Sequence, residues 1–300
     1  MNKMTETNPQ TAPGVGSQLL QVQGAQSGQG GTHAQFVGSI PEIYDTHLGP
    51  LLFQFSAADL ARRVGEARPG DIRVLEVACG TGIATEHLWQ ALSPQSEIVA
   101  TDLNPAMLDF AKDKRGVLQN VSYRQADVQD LPFDDGSFDA VVCQFGIMFV
   151  PDKAKAFAEM ARVLRPGGLL AFNVWDALAR NPVADLARET IAGFFETNPP
   201  DFLTVPFGYY EQEPICGLIA GAGFSNLGIQ TVSETVEISS AISIARGFVE
   251  GNPGILQIRE RPGVDPEEIV RALAEAIETL YGPAPLQVPL REIVFLADKL

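Results

Sequence analysis

The sequence is poor in the residues that mark several classes of protein. Its 300 residues include three cysteines, three histidines and two tryptophans. Cys79, Cys143 and Cys216 lack the spacing of metal ligands, so no metal site is predicted. So few cysteines are typical of a protein that works in a reducing cytoplasm rather than in an oxidising compartment.

Long apolar runs and basic clusters are also missing. No stretch approaches the ~20 apolar residues of a membrane-spanning helix, and the first residues lack the apolar core of a secretory signal. Lys and Arg number 21 against 37 Asp and Glu, a formal net charge of −16. Because an acidic surface repels phosphate backbones and anionic headgroups, we expect neither nucleic-acid binding nor stable membrane insertion.

Composition divides the chain into four segments. Residues 1–35 are rich in Gly, Gln, Ser and Thr, which predicts a flexible tail. Residues 36–70 carry apolar residues at helical spacing, interrupted at Gly49-Pro50, which predicts a short and then a longer helix forming an N-terminal lid. Residues 71–176 are predicted to form a ligand-binding core. Residues 177–300 are predicted to cap that core and to complete its sheet.

From residue 71 onward, strand-like runs alternate with helices. The predicted strands are residues 72–77, 97–101, 121–124, 138–143 and 169–175, followed by 226–238 and 286–296. Helices are predicted to begin at the capping residues Asn104 and Asp152, and one is predicted to stop at Pro166-Gly167-Gly168. Strands separated by helices pair in parallel. The pattern therefore predicts an α/β fold with a Rossmann-like, doubly wound, seven-stranded and mostly parallel sheet, with a helical cap inserted after strand 5.

The turn after the first strand carries the most information. Gly80 and Gly82 would let the backbone approach a ligand at the N-terminus of the next helix. A dinucleotide site has a third glycine where Thr85 stands. Glu76, at the strand end, would repel a diphosphate and attract a ligand that carries an ammonium and a sulfonium. The turn favours a positively charged cofactor, with a ligand-free tight turn as the plain alternative.

At these positions the sequence resembles class I S-adenosylmethionine-dependent methyltransferases, especially the type 11-like group that includes ubiquinone and menaquinone biosynthesis enzymes. Their acidic-x-Gly-x-Gly-x-Gly motif matches Glu76, Gly80 and Gly82, with Ala78 in place of the first glycine. The resemblance continues through TDLNPAMLDFAK, ADVQDLPFDDGSFDAVVCQFGIMFVPD and EMARVLRPGGLLAFNVW. It implies S-adenosyl-L-methionine as methyl donor and S-adenosyl-L-homocysteine as product.

The resemblance also implies roles for individual residues. Asp102 would accept the ribose hydroxyls, and Asp127 would contact the adenine amino group. The further residues expected around the donor are Tyr44, Cys79, Leu103, Met107, Val128, Gln144 and Phe145. Plain alternatives stay open: Asp102 as a helix cap, Asp127 as a turn residue, and Tyr44 or Phe145 as core.

The methyl acceptor is less well specified. His47 is the candidate general base; His33 lies in the tail, and His87 fits a structural helical stripe. Aromatic residues cluster after strand 5, at Phe194, Phe195, Phe202, Phe207, Tyr209 and Tyr210. They predict a small apolar or aromatic acceptor, methylated on O, N or C, or simply pack the cap. A nicotinamide-dependent oxidoreductase and a non-catalytic S-adenosylmethionine-binding protein are the alternative functions.

Overall fold

The computed structural model describes Met1 and residues 36–300; of the tail predicted at residues 1–35, residues 2–35, with His33, lie outside the described residues. The centre of the fold is a seven-stranded sheet in the order β3-β2-β1-β4-β5-β7-β6. The strands are β1 Arg73–Val77, β2 Glu97–Asp102, β3 Val121–Gln125, β4 Phe138–Gln144, β5 Leu164–Trp175, β6 Phe224–Ile238 and β7 Leu286–Lys299.

Strand pairing confirms the predicted fold class. The pairs among β1 to β5 are parallel, whereas β7 is antiparallel to both β5 and β6. The order reverses direction between β1 and β4, and in such sheets a crevice opens outside the carboxyl ends of the strands on either side of this point.

Eleven α- and π-helical segments surround the sheet among the described residues. They are α1 Ile40–Ile43, a π-helical segment Tyr44–Phe53, α2 Gln54–Ala67, α3 Ile83–Ala91, α4 Pro105–Arg115, α5 Lys153–Val163, α6 Pro182–Ala192, α7 Gln212–Gly221, α8 Ala241–Glu250, α9 Gly254–Arg259 and α10 Pro266–Tyr281. The predicted caps are confirmed: the Asn104 side chain accepts the N–H groups of Ala106 and Met107, and Asp152 accepts that of Lys155. None of the described helices combines the length and apolar composition that spanning a bilayer requires.

Two predicted boundaries are wrong. The lid is not broken at Gly49-Pro50, because Pro50 lies inside the π-helical segment. Proline lacks the N–H that an α-helix needs, and the wider π turn, in which Gln54 N–H reaches Gly49 O, accommodates it. Helix α5 ends at Val163 rather than at Pro166, because Leu164 already pairs with Phe138 and the chain bulges before pairing resumes at Leu169.

Apolar clusters cover both faces of the sheet. On one face, Val74 and Ala140 pack with Leu60 of α2 and Leu88 of α3. On the other face the much larger cluster joins the sheet to the lid and to the cap. Its members include Leu48, Leu75, Val141, Phe172, Phe202 and Phe248. Lid and cap therefore meet on the same side of the sheet.

Candidate functional site

A cavity of about 310 Å³ lies at the carboxyl ends of β1, β2 and β4, where the strand order reverses. The residues predicted for the donor that line it are Tyr44, Ala78, Gly80, Asp102, Leu103, Met107, Asp127, Val128, Gln144 and Phe145. Glu76 and Cys79 line a smaller pocket, of about 30 Å³, that shares Tyr44, Gly80 and Gln144 with the cavity. We call the two together the donor cavity.

Gly82 is the predicted residue that lines neither part of the donor cavity. It caps α3 with φ +82°, and a Cβ there would lie 3.0 Å from Arg115 Cδ and 3.3 Å from Ala111 Cβ. Its glycine is explained by the close approach of α4. Ala78 and Gly80 also have positive φ, of +54° and +55°. Ala78 thus holds a left-handed conformation that a glycine would adopt without strain.

Asp102 connects the glycine turn to the start of α4. Its Oδ2 accepts the N–H of Gly80 at 2.8 Å, and its Oδ1 accepts the N–H of Asn104 at 2.8 Å. Burial raises the pKa of Asp102, and the backbone N–H groups oppose that shift. The carboxylate is therefore fixed at the mouth of the cavity with lone pairs left for a ligand.

Glu76 is buried at the end of β1 and accepts a hydrogen bond from the Thr85 hydroxyl at 2.6 Å. Thr85 stands where a dinucleotide site has its third glycine, and it instead orients this carboxyl. Burial raises the pKa of Glu76 to about 8, and the nearby Asp102 contributes in the same direction. Burial thus favours the protonated carboxyl at neutral pH, and a cation beside it would favour the ionised form.

Asp127 closes the opposite side of the cavity in a tight turn. Its Oδ1 accepts the backbone N–H of Gln129 at 2.8 Å, and both oxygens lie within reach of the Gln129 side-chain amide. Gln129 also lines the cavity and was not predicted from the sequence. Its amide faces the acid rather than solvent, which holds Asp127 in place.

The loop after β4 forms the inner wall. Gln144 donates its side-chain N–H to Phe53 O, which ties this loop to the lid. Phe145 has φ +50°, and its ring stacks on Trp175 with centroids 3.9 Å apart. Gly146 has no room for a side chain, because a Cβ would lie 2.4 Å from Ala78 Cβ.

A second, apolar chamber lies beyond this wall. It is smaller, about 60 Å³, and shares Phe36, Tyr44, Phe53, Phe145 and Phe149 with the donor cavity. Other lining residues are Leu48, Leu52, Met148, Trp175, Phe202, Leu203, Pro206, Phe207, Phe248 and Asn252. We call it the aromatic chamber. Of the aromatic residues predicted for an acceptor pocket, Phe202 and Phe207 line it, while Phe194, Phe195, Tyr209 and Tyr210 pack against the core.

His47 lies apart from both spaces. It lines neither the donor cavity nor the aromatic chamber, and its Nδ1 hydrogen-bonds to the Ser243 hydroxyl at 2.7 Å. Burial lowers the pKa of His47, and Arg246 adds to this effect. His47 therefore lies outside the lining of both spaces, and its role as a general base stays a prediction.

The charge of the site is one-sided. Among the described residues that line the donor cavity and the aromatic chamber, none is Lys, Arg or His, whereas Glu76, Asp102 and Asp127 are acidic. An anionic diphosphate would find no cationic side chain here. The arrangement suits a ligand with a positive charge and a flat ring.

Comparison with known proteins agrees with this chemistry. The family model described as "Methyltransferase domain" matches residues 75–172. A ubiquinone/menaquinone biosynthesis C-methyltransferase UbiE of Idiomarina loihiensis is 33% identical over 190 residues, which cover 59% of this chain and 74% of that protein. A UbiE of Teredinibacter turnerae is 46% identical over 106 residues, 34% of this chain and 42% of that protein.

Solved structures share the fold. Phosphoethanolamine N-methyltransferase 2 of Haemonchus contortus, in complex with S-adenosyl-L-methionine, superposes with a TM-score of 0.54 at 18% identity, covering 86% of this chain and 56% of that one. The YcgJ protein of Bacillus subtilis gives a TM-score of 0.52 at 19% identity over 82% of this chain and 98% of that one.

Proposed function

The chain belongs to the family of S-adenosylmethionine-dependent methyltransferases, as its ubiquinone/menaquinone biosynthesis relatives do, and we propose that its donor cavity binds S-adenosyl-L-methionine. The aromatic chamber then receives a small apolar or aromatic acceptor. The observation that carries this proposal is the junction of an acidic cavity with an apolar chamber across a shared wall that includes Tyr44, Phe145 and Phe149.

Each part of the donor has a matching partner in the cavity. Asp102 can accept both ribose hydroxyls, and Leu103 and Met107 offer apolar surface to the adenine. Asp127 and the Val128 N–H suit the edge of that ring. The carboxyls of Glu76 and Asp102 favour the positive charges of the methionine moiety, since opposite charges attract strongly in a poorly solvated site. The Cys79 thiol stays protonated because burial raises its pKa, so its contribution is shape.

When bound, the donor would supply a methyl carbon activated by a sulfonium; the acceptor's electron pair would bond that carbon as the carbon–sulfur pair returned to sulfur, and any proton on the reacting atom would leave to solvent. The chain's own residues align the two molecules and exclude water. Phe145 and Tyr44 border both spaces, so they lie where the acceptor and the donor would come into contact. Alignment of this kind can lower a barrier by about 7–11 kcal/mol.

The wall offers no general base. Burial raises the pKa of Tyr44 well above that of free tyrosine, so its hydroxyl stays protonated. Asn252 in the aromatic chamber already donates to Phe248 O and accepts from Gly254 N–H. An acceptor that is nucleophilic without help from a lining base suits such a site. An electron-rich ring of the quinone-precursor type fits, as the names of the UbiE relatives suggest.

We extend the proposal to the organisation of the chain. Residues 36–70 act as the lid, 71–176 as the donor-binding core, and 177–300 as the acceptor cap that completes the sheet. A cytoplasmic location fits the three cysteines, which are all free thiols.

Calorimetry tests the donor assignment. We expect S-adenosyl-L-methionine and S-adenosyl-L-homocysteine to bind and NAD(H) not to bind. Asp102→Ala removes two ribose hydrogen bonds to a charged group and should weaken binding at least about tenfold. Asp109→Asn, an exposed acid on α4, should leave affinity unchanged. Binding of NAD(H) would instead favour the oxidoreductase, and undiminished binding by Asp102→Ala would remove the ribose assignment.

Transfer of tritium from methyl-labelled donor tests the acceptor. The panel contains quinone precursors, phenols and amines, and we expect label to enter apolar aromatic members. A donor that binds while no compound is labelled would favour the non-catalytic binding protein.

A further inference from the structure

A buried carboxyl lies behind the aromatic chamber, outside the site described above. Glu292 of β7 is 2% exposed, and Asn173 of β5 is fully buried beside it. The Asn173 Nδ2 donates to Glu292 Oε2 at 2.6 Å, and the Ser56 hydroxyl of α2 is a second hydrogen-bonding neighbour of the carboxyl. Burying a carboxyl costs free energy unless hydrogen bonds or opposite charges compensate for the lost water. The contacts of Asn173 indicate what this carboxyl does in the fold.

Asn173 connects Glu292 to the wall of the donor cavity. Its Oδ1 accepts the N–H of Phe145 at 3.1 Å, and its backbone carbonyl accepts the same N–H at 3.3 Å. An amide side chain can present either its oxygen or its NH₂ to a neighbour. An ionised Glu292 carboxylate has no proton to donate to the amide oxygen and can only accept from the amide NH₂, so it fixes the orientation in which that oxygen faces Phe145.

Phe145 needs this support because its backbone is strained. Its φ of +50° is left-handed, which costs a non-glycine residue roughly 1–2 kcal/mol. The ring stacks on Trp175 and borders both the donor cavity and the aromatic chamber. We propose that Glu292 is a positioning residue that, through Asn173, holds Phe145 in the conformation that separates the donor cavity from the aromatic chamber.

Charged groups around Glu292 come from several elements. Asp59 and Arg63 of α2 act on it with opposite signs, and Glu234 of β6 and Arg291 of β7 line the same crevice. Burial raises the pKa of Glu292 to about 7, and the hydrogen-bonding Ser56 hydroxyl and Asn173 amide hold that pKa lower than burial alone would. A carboxylate is a stronger acceptor than a carboxylic acid, so the hold on Asn173 weakens as pH falls through 7.

Trp175 reports this change without any ligand. The chain has two tryptophans, and Trp89 is exposed, so Trp89→Phe isolates the signal of Trp175. In that background we expect emission to change between about pH 5.5 and 8.5 with one midpoint near 7. Glu292→Gln should abolish the transition, and the neighbouring Glu234→Gln should preserve it. A transition that persists in Glu292→Gln, or its absence from the Trp89→Phe parent, overturns the proposal.

Asn173→Ala tests whether Glu292 acts through the amide. With the amide removed, the pH transition of Trp175 should disappear. If the transition remains, Glu292 acts on Trp175 directly, and the proposed relay from Glu292 through Asn173 to Phe145 is wrong. If Glu292→Gln fails to fold, the comparison of Asn173→Ala with the Trp89→Phe parent still tests the proposal.

Affinity for S-adenosyl-L-homocysteine then connects the relay to the proposed function, on which this step rests. At pH 8 we expect Glu292→Gln to bind about five- to tenfold more weakly, as for the loss of one hydrogen bond. In the Asn173→Ala background the same change should have no further effect; additive losses would contradict the relay. Failure of the native protein to bind would refute the donor assignment alone, because the fluorescence titration needs no donor.

Discussion

At the scale of single residues, Ala78 and Gly146 face each other across the first turn. A Cβ on Gly146 would lie 2.4 Å from Ala78 Cβ and 3.0 Å from Cys143 Sγ. Gly146→Ala should therefore lower the free energy of unfolding by about 1–3 kcal/mol, the usual cost of overpacking. In an Ala78→Gly background the cost should fall by about 1 kcal/mol. Urea denaturation of the four proteins measures this coupling, and equal costs in both backgrounds would rule out the contact.

The buried carboxyl of Glu76 leads us to expect that donor binding releases a proton. Its pKa is raised to about 8 by burial, and a bound cation favours the ionised form, so the pKa falls in the complex and a proton is released below pH 8. Affinity for S-adenosyl-L-methionine should accordingly rise from pH 6 to 8.

Calorimetry in buffers of different ionisation enthalpy measures the released proton. We expect a release approaching one proton per donor at pH 7 in the native protein and in Glu97→Gln, an exposed control. Glu76→Gln should release none. Equal release by all three proteins would assign the proton elsewhere.

At the scale of elements, the lid is attached to the core by buried charges. Asp45 of the π-helical segment pairs with Arg115 of α4 at 3.2 Å, and Lys114 also contacts it. Arg115 further donates to Thr81 O in the glycine turn at 2.6 Å and pairs with Glu86 of α3. One guanidinium thus joins the lid, α3, α4 and the donor turn.

Asp45→Asn should loosen the lid. Arg115 keeps Thr81 and Glu86, so we expect a loss of about 1–3 kcal/mol in unfolding free energy rather than collapse. Affinity for S-adenosyl-L-homocysteine should fall too, because the adjacent Tyr44 lines the cavity. Arg62→Gln removes an exposed guanidinium that pairs with Asp59 and Glu66 on the same helix and should cost less than about 1 kcal/mol. Equal effects of the two substitutions would contradict a role for this attachment.

The helices and strands whose signals lie within a few residues could be predicted from the sequence. Alternation of apolar runs and caps such as Asn104 and Asp152 predicted the parallel core, because both signals act within a few residues. Helices α8 and α9 were not predicted, and the π-helical turn that accommodates Pro50 was missed. Their conformations depend on packing against the lid and the cap, which no sequence window contains.

The same limit applies to the candidate site: short motifs could be predicted from the sequence, whereas contacts between distant residues could not. The glycine motif lies in one short stretch of sequence, and the role predicted for Asp102 comes from the family resemblance. The stack of Phe145 on Trp175 and the contact of Asn173 with Glu292, 119 residues apart, depend on strand register. Glu292 carries no sequence signal beyond a charged residue within an apolar strand. For Thr85, the sequence indicates only that the third glycine of a dinucleotide site is missing; the hydrogen bond from its hydroxyl to Glu76 appears only in the structure.

At the scale of the whole molecule, the acidic cavity belongs to the core and lid, whereas the aromatic chamber needs the cap. Phe202 and Phe207 come from the segment after α6 and reach the chamber over the face of the sheet that the lid also covers. Donor and acceptor recognition should therefore be separable by mutation.

Phe207→Leu tests that separation. Phe207 stacks on Trp175 at 5.7 Å and lines only the aromatic chamber, not the donor cavity. The substitution should leave affinity for S-adenosyl-L-homocysteine unchanged and alter the relative labelling of the aromatic acceptors in the tritium-transfer panel. Phe224→Leu is the matched control, since Phe224 is 5% and Phe207 4% exposed, but Phe224 lines neither space. Because both changes remove similar buried surface, stability should fall comparably and only Phe207→Leu should change the acceptor profile. If donor affinity falls with Phe207→Leu, or if both variants shift the acceptor profile alike, the chamber is not a separate acceptor site.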